Sequence, residues 1–460
     1  MKSNDSRQTC PPRPRLRLPL VLSLALAACG SDAPVLAPRG PIIVIAIDTL
    51  RADHLGLYGY ERDTSPRLDA LAAEGAVFEH AFATASWTLP SMTSLLTGAW
   101  PREHGAGYAR ARDGRQRFSR LREQVPALAE MLRDAGYATG AVANVGFMSP
   151  RFGFARGFDT YDWAPSTDED SRRAGESVDR ALAWIDANDD GPFFFMLHLF
   201  DPHRHFDAPP PFRGKFTNVY RDRYGDTLAT LESRIEAERQ SDLEFHVAAY
   251  DEEIAYTDDQ VGRFVDGLRE RGIWDEALVV LTADHGESLH DHGERGHGGT
   301  LYNELIRVPL VVWGVGSAGA RQRAPVSLVD FAPTALQWAG AAEPPGLPGV
   351  SWLGPMAGTA SFPERLIAAE IEVNGYDVQA VIRWPYKLIA GPDAESMMLF
   401  DLRRDFGETV DLVALGEPTA QQTANELRRL LRNVRRRLRG EEVQLDPAEV
   451  EELRALGYIQ

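Results

Sequence analysis

The stretch IIVIAIDTLRADHLGLYGY, residues 42–60, begins with six consecutive apolar residues, of which four are isoleucine and one is valine. A short run rich in β-branched residues is typical of a strand that is buried on both faces of a sheet. Asp48 follows this run directly. Ligands of open α/β sheets bind beyond the carboxyl ends of the strands, so Asp48 is the first candidate for a functional residue.

Apolar runs of the same kind recur along the chain, with helical patterns between them. The strand-like runs lie near 138–143 and at 193–199, 278–282 and 308–313, and helices are predicted at 65–74, 90–97, 124–135, 174–187, 247–271 and 326–339. Alternation of strands and helices at this spacing predicts an α/β fold with a large doubly wound, mostly parallel sheet sandwiched by helices.

The pattern changes after about residue 360 to shorter strands, at 365–370, 377–383, 386–390 and 397–401, and a helix from about 418 to 439. An apolar stripe along that helix leaves its arginines on a solvated face. The stripe consists of Leu427, Leu430, Leu431, Val434 and Leu438. We therefore predict a catalytic domain over 41–360 and a smaller C-terminal α+β subdomain over 361–460, with a small antiparallel sheet plus helices. The polar segment 207–245 is interpreted as an insertion near the active-site face, either a lid or a plain surface excursion.

The first residues differ in character from the rest of the chain. A basic stretch precedes an apolar run over 18–28, which is too short to span a bilayer as a helix but suits a secretory signal. The run ends in Leu26, Ala27, Ala28 and Cys29, which resembles the lipobox of bacterial lipoproteins. The prediction is a lipoprotein signal peptide over 1–28, a membrane anchor at Cys29, a tether over 29–40, and export to the bacterial periplasm or outer membrane. The alternative is an ordinary cleaved signal or an uncleaved membrane anchor.

Composition narrows the classes of partner. The chain of 460 residues is 44% hydrophobic, enough for a large core, and its formal net charge is -18. A nucleic-acid partner is therefore not expected, because phosphate backbones are bound through clustered Lys and Arg. The two cysteines are Cys10 and Cys29, and Cys10 would leave with the signal peptide, so no disulfide is expected in the mature chain.

Polar residues at the ends of two strand-like runs suggest a metal site. Asp284 and His285 follow the run that ends at 283, as Asp48 follows the run at 42–47. Two carboxylates and an imidazole from separate strand ends form a suitable ligand set for a divalent cation. Thr88, in SWTLPSMTSLLTG at 86–98, stands at the start of a predicted helix, where the helix dipole favours an anion. The alternative is that Asp48 and Thr88 merely cap helices.

Several segments together resemble the sulfatases and related enzymes of the alkaline phosphatase superfamily. They are IAIDTLRADHLGLYGY, SPRLDALAAEGAVFEHAFA, TLPSMTSLLTG and PREHG within 41–105, then HLFDPH at 198–203, TADHGESLHDHGERGHG at 282–298, LYNELIRVPLVV at 301–312, VSLVDFAPTAL at 326–336 and LFDLRRDFGETVDL at 399–412. The resemblance implies an ester hydrolase with one divalent metal ion, which could be Ca, Mn, Zn or Mg.

The resemblance also assigns roles to residues. It makes Asp48, Asp284 and His285 metal ligands and puts Thr88 at the nucleophile position, also touching the metal. His203 and His297 match catalytic positions that contact the substrate or its leaving group. Alternatives are that His203 makes only a structural hydrogen bond, and that His297 is one of several exposed histidines with His290 and His292.

The chain departs from the sulfatase pattern at the nucleophile. Sulfatases oxidise a Cys or Ser to formylglycine within a pattern that continues with Pro two residues later and Arg four residues later. Here Thr88 is followed by Pro90 and Met92. Threonine cannot give the aldehyde, so no formylglycine is expected. Thr49, His285 and His297 replace the usual Asp, Asn and Lys, which brings the set closer to the threonine-using transferases of the superfamily.

We therefore expect a hydrolase of phosphoric or sulfuric esters that uses Thr88 as a covalent nucleophile, with phosphoric esters favoured. The substrate is expected to be a small molecule or an envelope ester. Three alternatives stay open at this point: a true sulfuric ester hydrolase without formylglycine, a phosphotransferase to an envelope acceptor, and a non-catalytic binding homologue.

Overall fold

The computed structural model describes residues 40–110, 116–165, 171–220, 240–316, 318–373, 376–391, 396–432, 442–447, 449–450 and 453. The signal peptide and anchor predicted for 1–29, and nearly all of the tether, lie outside these residues, as does 221–239 of the predicted insertion. No helix in the described ranges is long and apolar enough to cross a membrane.

The elements are numbered in chain order. The strands are β1 (Ile42–Ile47), β2 (Ala76–Phe78), β3 (Ala81–Phe82), β4 (Gly107–Arg110), β5 (Gln116–Ser119), β6 (Ala138–Asn144), β7 (Thr160–Ala164), β8 (Phe193–Leu199), β9 (Leu278–Ala283), β10 (Ser288–Leu289), β11 (Arg295–Gly296), β12 (Arg307–Val308), β13 (Leu310–Trp313), β14 (Ala320–Gln322), β15 (Val326–Ser327), β16 (Ile367–Val373), β17 (Tyr376–Arg383), β18 (Tyr386–Ala390), β19 (Met397–Asp401) and β20 (Glu442–Val443). The α-helices are α1 (Pro66–Ala72), α2 (Thr88–Leu95), α3 (Pro101–His104), α4 (Leu128–Asp134), α5 (Ala174–Asp186), α6 (Gln240–Glu270), α7 (Asn303–Ile306), α8 (Phe331–Ala339), α9 (Leu353–Met356) and α10 (Ala420–Arg432). Short 3-10 helices lie at Ala52–His54, Gly56–Tyr58, Gly146–Met148, Pro150–Phe152, Thr217–Tyr220, Asp291–Gly293 and Leu328–Asp330.

The main sheet has the strand order β14-β2-β13-β9-β1-β8-β6-β7. β1 lies between β8 and β9 and is parallel to both, and all residues of these three strands are buried. Helices cover the sheet in two groups: α1 and α5 pack against α6, whereas α4 packs against α8, and both α4 and α5 contact β6. Burial of the central strands on both faces explains their unbroken apolar runs. The predicted α/β fold with a mostly parallel sheet is confirmed.

The run 308–313, predicted as one strand, is divided by Pro309 into β12 and β13. Pro309 has no N–H to donate to a ladder, and its carbonyl accepts a hydrogen bond from Thr282 Oγ1 at 2.8 Å. β12 pairs with β3 in a separate sheet, and β13 runs antiparallel to β9. The prediction of one continuous strand was therefore wrong. A buried proline does not interrupt an apolar run in the sequence, so the run gave no sign of the break.

Two helix boundaries also differ from the prediction. Residues Val326–Ser327 form a strand paired with β3, and the helix predicted at 326–339 begins only at Phe331. The helix predicted at 247–271 begins earlier, at Gln240. α6 therefore extends into the segment that was interpreted as an insertion. Propensity and periodicity place the ends of an element poorly, since tertiary pairing decides them.

The C-terminal part contains the antiparallel sheet β16-β17-β18-β19, with α10 packed against it. Leu427 and Leu431 of α10 are buried in a small apolar core with Leu388 and Leu399, as the predicted stripe requires. Val434 and Leu438 of that stripe lie outside the described residues. A buried ion pair joins Lys387 of β18 to Glu408, with 2.7 Å between Nζ and Oε1.

Candidate metal centre and nucleophile

Asp48, Asp284 and His285 meet at one edge of the main sheet. Each offers a ligand atom, and these atoms all lie within 4.8 Å of one another. His285 Nε2 is 3.3 Å from Asp284 Oδ2 and 3.7 Å from Asp48 Oδ1. All three side chains are fully buried. Residues 237 positions apart in the chain therefore form one compact cluster of oxygen and nitrogen ligands.

The register of the sheet brings the three residues together. Ile47 of β1 is paired with Ala283 of β9 in parallel orientation, so the residues that follow both strands emerge side by side. Asp284 Oδ1 then accepts hydrogen bonds from the backbone N–H groups of His285, at 2.8 Å, and Thr49, at 3.3 Å. Thr49 has a φ of 55°, a left-handed conformation that is uncommon for a threonine. These contacts leave Oδ2 of Asp284 directed at His285.

Three of the four carboxylate oxygens in this cluster lack a hydrogen-bond donor among the described residues. Among the described residues, neither carboxylate oxygen of Asp48 has a hydrogen-bond partner, and Oδ2 of Asp284 has none either. Burial and the neighbouring Asp284 carboxylate raise the pKa of Asp48 well above its usual value. Buried acceptors and charges without partners are costly, and a divalent cation satisfies several at once. The donor set of two carboxylates and one imidazole therefore fits a metal ion.

His285 is oriented as a metal ligand requires. Its Nδ1 lies 2.8 Å from the carbonyl oxygen of Gly286 and is placed to donate a hydrogen bond to it. Nε2 then keeps a lone pair that faces the two carboxylates. Burial lowers the pKa of His285, but the charges of Asp284 and Asp48 outweigh that effect, and its pKa is raised.

Thr88 is the first residue of α2 and is fully buried. Its Oγ1 lies 3.3 Å from His285 Nε2. Ser91, one turn further along α2, donates a hydrogen bond to the carbonyl oxygen of Asp284 at 2.6 Å, which fastens the start of the helix to the metal cluster. Trp87 is the N-cap residue of α2 and makes no side-chain cap hydrogen bond, so Thr88 is the first residue of the helix and not its cap. The hydroxyl therefore faces the ligand cluster at a helix N-terminus.

His203 and His297 form a second row beside the cluster. The His297 ring is 4.5 Å from that of His285 and 5.1 Å from that of His203, measured between centroids. Nδ1 of His297 is 2.9 Å from Glu287 Oε2, and Nδ1 of His203 is 2.7 Å from the carbonyl oxygen of Arg204. Burial lowers the pKa of both His203 and His297 well below the usual value, and the neighbouring His297 adds to this effect at His203 and His285 at His297.

His292, from the same loop as His297, is placed differently. His292 stacks on Tyr302 with 3.8 Å between ring centroids and bonds through Nδ1 to Glu304 at 2.8 Å. It therefore contributes to the packing of the loop. The structure brings Asp48, Thr88, Asp284, His285, His203 and His297 into one site and leaves His292 outside it.

Three residues of the site were missed by sequence reasoning. His198, the penultimate residue of β8, has Nε2 3.5 Å from Asp48 Oδ2. Glu287 is buried and faces His297, and burial raises its pKa, while the charge of the nearby Arg204 opposes that rise. The pKa of His297 is lowered by burial first and to a smaller extent by His285 and Arg204. The signal was available for two of them, since Glu287 follows His285 by two positions and Arg204 follows His203. His198 is hidden inside an apolar run.

Comparison with known proteins agrees with this fold and shows the family of the chain. The family model described as Sulfatase matches residues 41–341. N-acetylglucosamine-6-O-sulfatase from Bacteroides thetaiotaomicron is 25% identical over 439 residues, covering 76% of this chain and 75% of that protein. The multifunctional alkaline phosphatase superfamily protein PehA from Trinickia caryophylli is 28% identical over 404 residues, covering 68% of this chain and 76% of that protein.

A solved structure has the same fold. The phosphonate monoester hydrolase of Agrobacterium radiobacter superposes with a TM-score of 0.69 at 20% sequence identity, covering 85% of this chain and 95% of that chain. The match to the family model is the stronger finding, since it extends over well more than half of the 460 residues. On this evidence, the chain belongs to the sulfatase family of ester-hydrolysing enzymes.

Proposed function

We propose that this enzyme is a metal-dependent hydrolase of phosphoric esters in which Thr88 is the covalent nucleophile. The observation that supports the proposal is the position of the Thr88 hydroxyl, buried at the N-terminus of α2 and 3.3 Å from Nε2 of His285. A hydroxyl beside a metal ligand and a helix N-terminus is placed to attack an anionic ester, because both environments favour the negative charge of the reacting group.

Asp48, Asp284, His285 and Thr88 would hold the metal ion. When bound, a divalent cation lowers the pKa of a coordinated hydroxyl and neutralises charge on the nonbridging oxygens of the ester. Both carboxylate oxygens of Asp48 and Oδ2 of Asp284 have no hydrogen-bond partner in the described part of the chain, which supports a cation at this position. The imidazole favours Zn, whereas the carboxylates favour Mn, Ca or Mg, so all four ions remain candidates for the site.

The reaction proceeds in two displacements. Thr88 Oγ1 attacks phosphorus, its proton goes to solvent, and the bond from phosphorus to the leaving alcohol oxygen breaks. The protonated form of His203 or His297, which a lowered pKa makes a strong acid, gives its Nε2 proton to the leaving oxygen, and the ring is left neutral. Water then attacks the phosphorus of the phosphothreonine and the bond to Oγ1 breaks, which restores the hydroxyl and releases the phosphoric product.

Phosphorus is favoured over sulfur by the chemistry of threonine. Formylglycine enzymes release sulfate by collapse of an aldehyde hydrate, and the secondary alcohol of Thr88 offers no such route. The ester on Thr88 must be opened by attack at the bound group itself, which at phosphorus keeps the metal-assisted route available. Met92 supports this interpretation, since it occupies the position of the arginine that accompanies formylglycine in sulfatases.

The test is a substrate and metal screen with a covalent readout. The purified protein is stripped of metal, reloaded separately with Mn, Zn, Ca or Mg, and assayed on an aryl phosphate, an aryl phosphodiester and an aryl sulfate. We expect phosphoric esters to be cleaved faster, and mass spectrometry of acid-quenched enzyme to show a phosphoryl-sized adduct on the peptide containing Thr88. Sulfatase activity without any activity on phosphoric esters would overturn the proposal.

The second candidate is a sulfuric ester hydrolase that works without formylglycine. It is favoured by the similarity to N-acetylglucosamine-6-O-sulfatase, whereas the similarity to PehA and to the phosphonate monoester hydrolase fold accommodates phosphorus substrates. The same screen separates the two, because the aryl sulfate arm is then the productive one. A phosphotransferase is recognised in the same assay if added alcohols increase product release and appear as phosphorylated products.

We also propose that the enzyme is exported and anchored through a lipid on Cys29. The proposal rests on the order of a basic stretch, a short apolar run and the Leu26 to Cys29 motif. Cys29→Ala should abolish uptake of labelled fatty acid in a native-like host. Wild-type protein that carries no acyl group in that host would show that the interpretation of the motif is wrong.

A further inference from the structure

His198 is a fully buried histidine at the metal cluster that the proposed mechanism does not use. It is the penultimate residue of β8 and is paired with Ala46 of β1, so its side chain lies next to the end of β1 where Asp48 follows. Its Nε2 is 3.5 Å from Asp48 Oδ2. In the described part of the chain, neither ring nitrogen of His198 and neither carboxylate oxygen of Asp48 has a hydrogen-bond partner.

Four unpartnered polar atoms at one buried contact require an explanation. A buried group without its hydrogen bond costs about 1–3 kcal/mol, so an arrangement that left all four unpaired would be heavily destabilising. The imidazole of His198 carries at least one N–H in either protonation state and can therefore act as a hydrogen-bond donor. The Asp48 carboxylate is placed to accept from His198, since its Oδ2 lies 3.5 Å from Nε2.

The main chain around His198 is held in place. Asn144 at the end of β6 donates a hydrogen bond from Nδ2 to the carbonyl oxygen of His198 at 2.5 Å, and both residues are fully buried. On the other side, the backbone N–H of Asp48 donates to the carbonyl oxygen of Leu199 at 2.8 Å. The imidazole and the carboxylate are thus carried by two strands whose relative position is fixed by their ladder.

We propose that His198 is a positioning residue that donates its Nε2–H to Oδ2 of Asp48 and so presents Oδ1 to the cation. Oδ1 is the oxygen on the His285 side, 3.7 Å from Nε2 of that ligand. Hydrogen bonds of this kind fix the rotamer of a metal-binding carboxylate, and their loss typically lowers metal affinity about 10- to 100-fold. The inference rests on the metal site of the proposed function and names a residue that this site depends on.

The decisive measurement is metal affinity, determined by competition with a fluorescent chelator on stripped protein. His198→Phe keeps the shape of a ring but has no donor, and we expect it to weaken binding of the tightest-binding metal about 10- to 100-fold. His198→Gln keeps an N–H at a similar reach and should recover most of the affinity. His80→Phe is the matched control, because His80 is a half-buried histidine stacked on Trp384 at 4.2 Å, and its loss should leave metal affinity unchanged.

Stability measured beside affinity distinguishes positioning from a general effect on the fold. Metal-free His198→Phe should resist urea as well as the metal-free wild type, while only His198→Gln recovers metal affinity, because only Gln restores a donor to Asp48. Equal metal affinities of the two variants, or wild-type affinity in His198→Phe, would overturn the inference. If His198→Phe does not fold, His198→Asn takes its place, since its shorter amide does not reach Oδ2. Failure of the wild-type protein to bind any of the four metals would refute the proposed function instead.

Discussion

Thr88 Oγ1 and His285 Nε2 lie 3.3 Å apart although the residues are 197 positions apart in the chain. The contact joins the first turn of α2 to the residue that follows β9 by two positions. It places the hydroxyl next to the imidazole nitrogen that faces Asp48 and Asp284. Nucleophile and metal ligands are therefore held by separate elements of one rigid scaffold, which permits each to be removed without the other.

Removing the Thr88 hydroxyl should abolish turnover. Thr88→Ala is expected to reduce kcat/KM at least about 1,000-fold, as loss of a covalent nucleophile does in other hydrolases, and Thr88→Ser should retain a measurable part. Thr93→Ala is the control, because Thr93 lies on the same helix, is buried and donates its hydroxyl to the carbonyl oxygen of Leu89. Unimpaired activity of Thr88→Ala would indicate instead that a metal-bound water is the nucleophile.

Removing a ligand should release the metal without unfolding the protein. Asp284→Asn and His285→Ala are expected to lose bound metal, measured by elemental analysis, together with activity. The melting temperature of the metal-free protein should stay the same or rise, because Asp284 Oδ2 is a buried acceptor without a hydrogen-bond partner in the described residues. Asp291→Asn, which changes an acid that pairs with Arg51 outside the cluster, is the control. Full activity after exhaustive chelation would contradict the metal site.

Arg204 should contribute to binding of the anionic substrate. Its charge acts on both Glu287 and His297, so it lies near the site without contacting the ligand cluster. Arg204→Met is expected to raise KM for an aryl phosphate about 3- to 10-fold with a smaller effect on kcat, and added salt should reduce the difference. Arg213→Met serves as the control, since Arg213 pairs with Asp207 at the surface. A KM that does not change would exclude this role.

The buried ion pair of Lys387 and Glu408 should matter most when one partner is removed alone. Burial lowers the pKa of Lys387 and raises that of Glu408, while the pairing opposes both shifts. Asn303 joins the pair, accepting from Lys387 Nζ at 2.9 Å and donating its backbone N–H to Glu408 at 2.6 Å. Lys387→Met should lower the free energy of unfolding by about 3–5 kcal/mol, whereas Lys387→Met with Glu408→Leu should recover much of it. The free energies of unfolding of the wild type, the two single variants and the double variant are measured in urea. If the losses of the single variants simply add in the double variant, the coupling is disproved.

Asp258 should make stability depend on pH. It lies on α6, is buried, and accepts the backbone N–H groups of Arg67 and Leu68 in the first turn of α1. Burial raises its pKa to about 7. A carboxyl whose pKa is raised on folding stabilises the protein below its unfolded pKa, and this contribution is lost as pH rises through about 7. The difference in melting temperature, Asp258→Asn minus wild type, should therefore increase by about 2 °C from pH 5 to pH 8. Parallel pH curves for the wild type and Asp258→Asn would refute this prediction.

The central sheet could be predicted from the sequence because its strands are buried on both faces and read as apolar runs. Asp48, Asp284 and His285 could be picked out since they follow such runs directly. His198 could not, because it lies inside β8 and its role depends on Asp48, which follows β1 and lies 150 positions earlier in the chain. Thr49 in a left-handed conformation and the break at Pro309 are likewise consequences of tertiary pairing, which no local pattern contains.

The position of β1 between β8 and β9 also bears on how the protein is made. β1 ends at Ile47, but its two neighbours begin at Phe193 and Leu278, so the first strand of the sheet leaves the ribosome long before it can pair. At ordinary rates of synthesis its second neighbour follows after roughly 10–50 s. During that interval an uncharged, β-branched hexamer without proline is exposed, which is the composition of segments that aggregate. Refolding yield should consequently fall steeply with protein concentration, and a chaperone that holds this one segment would serve the whole enzyme.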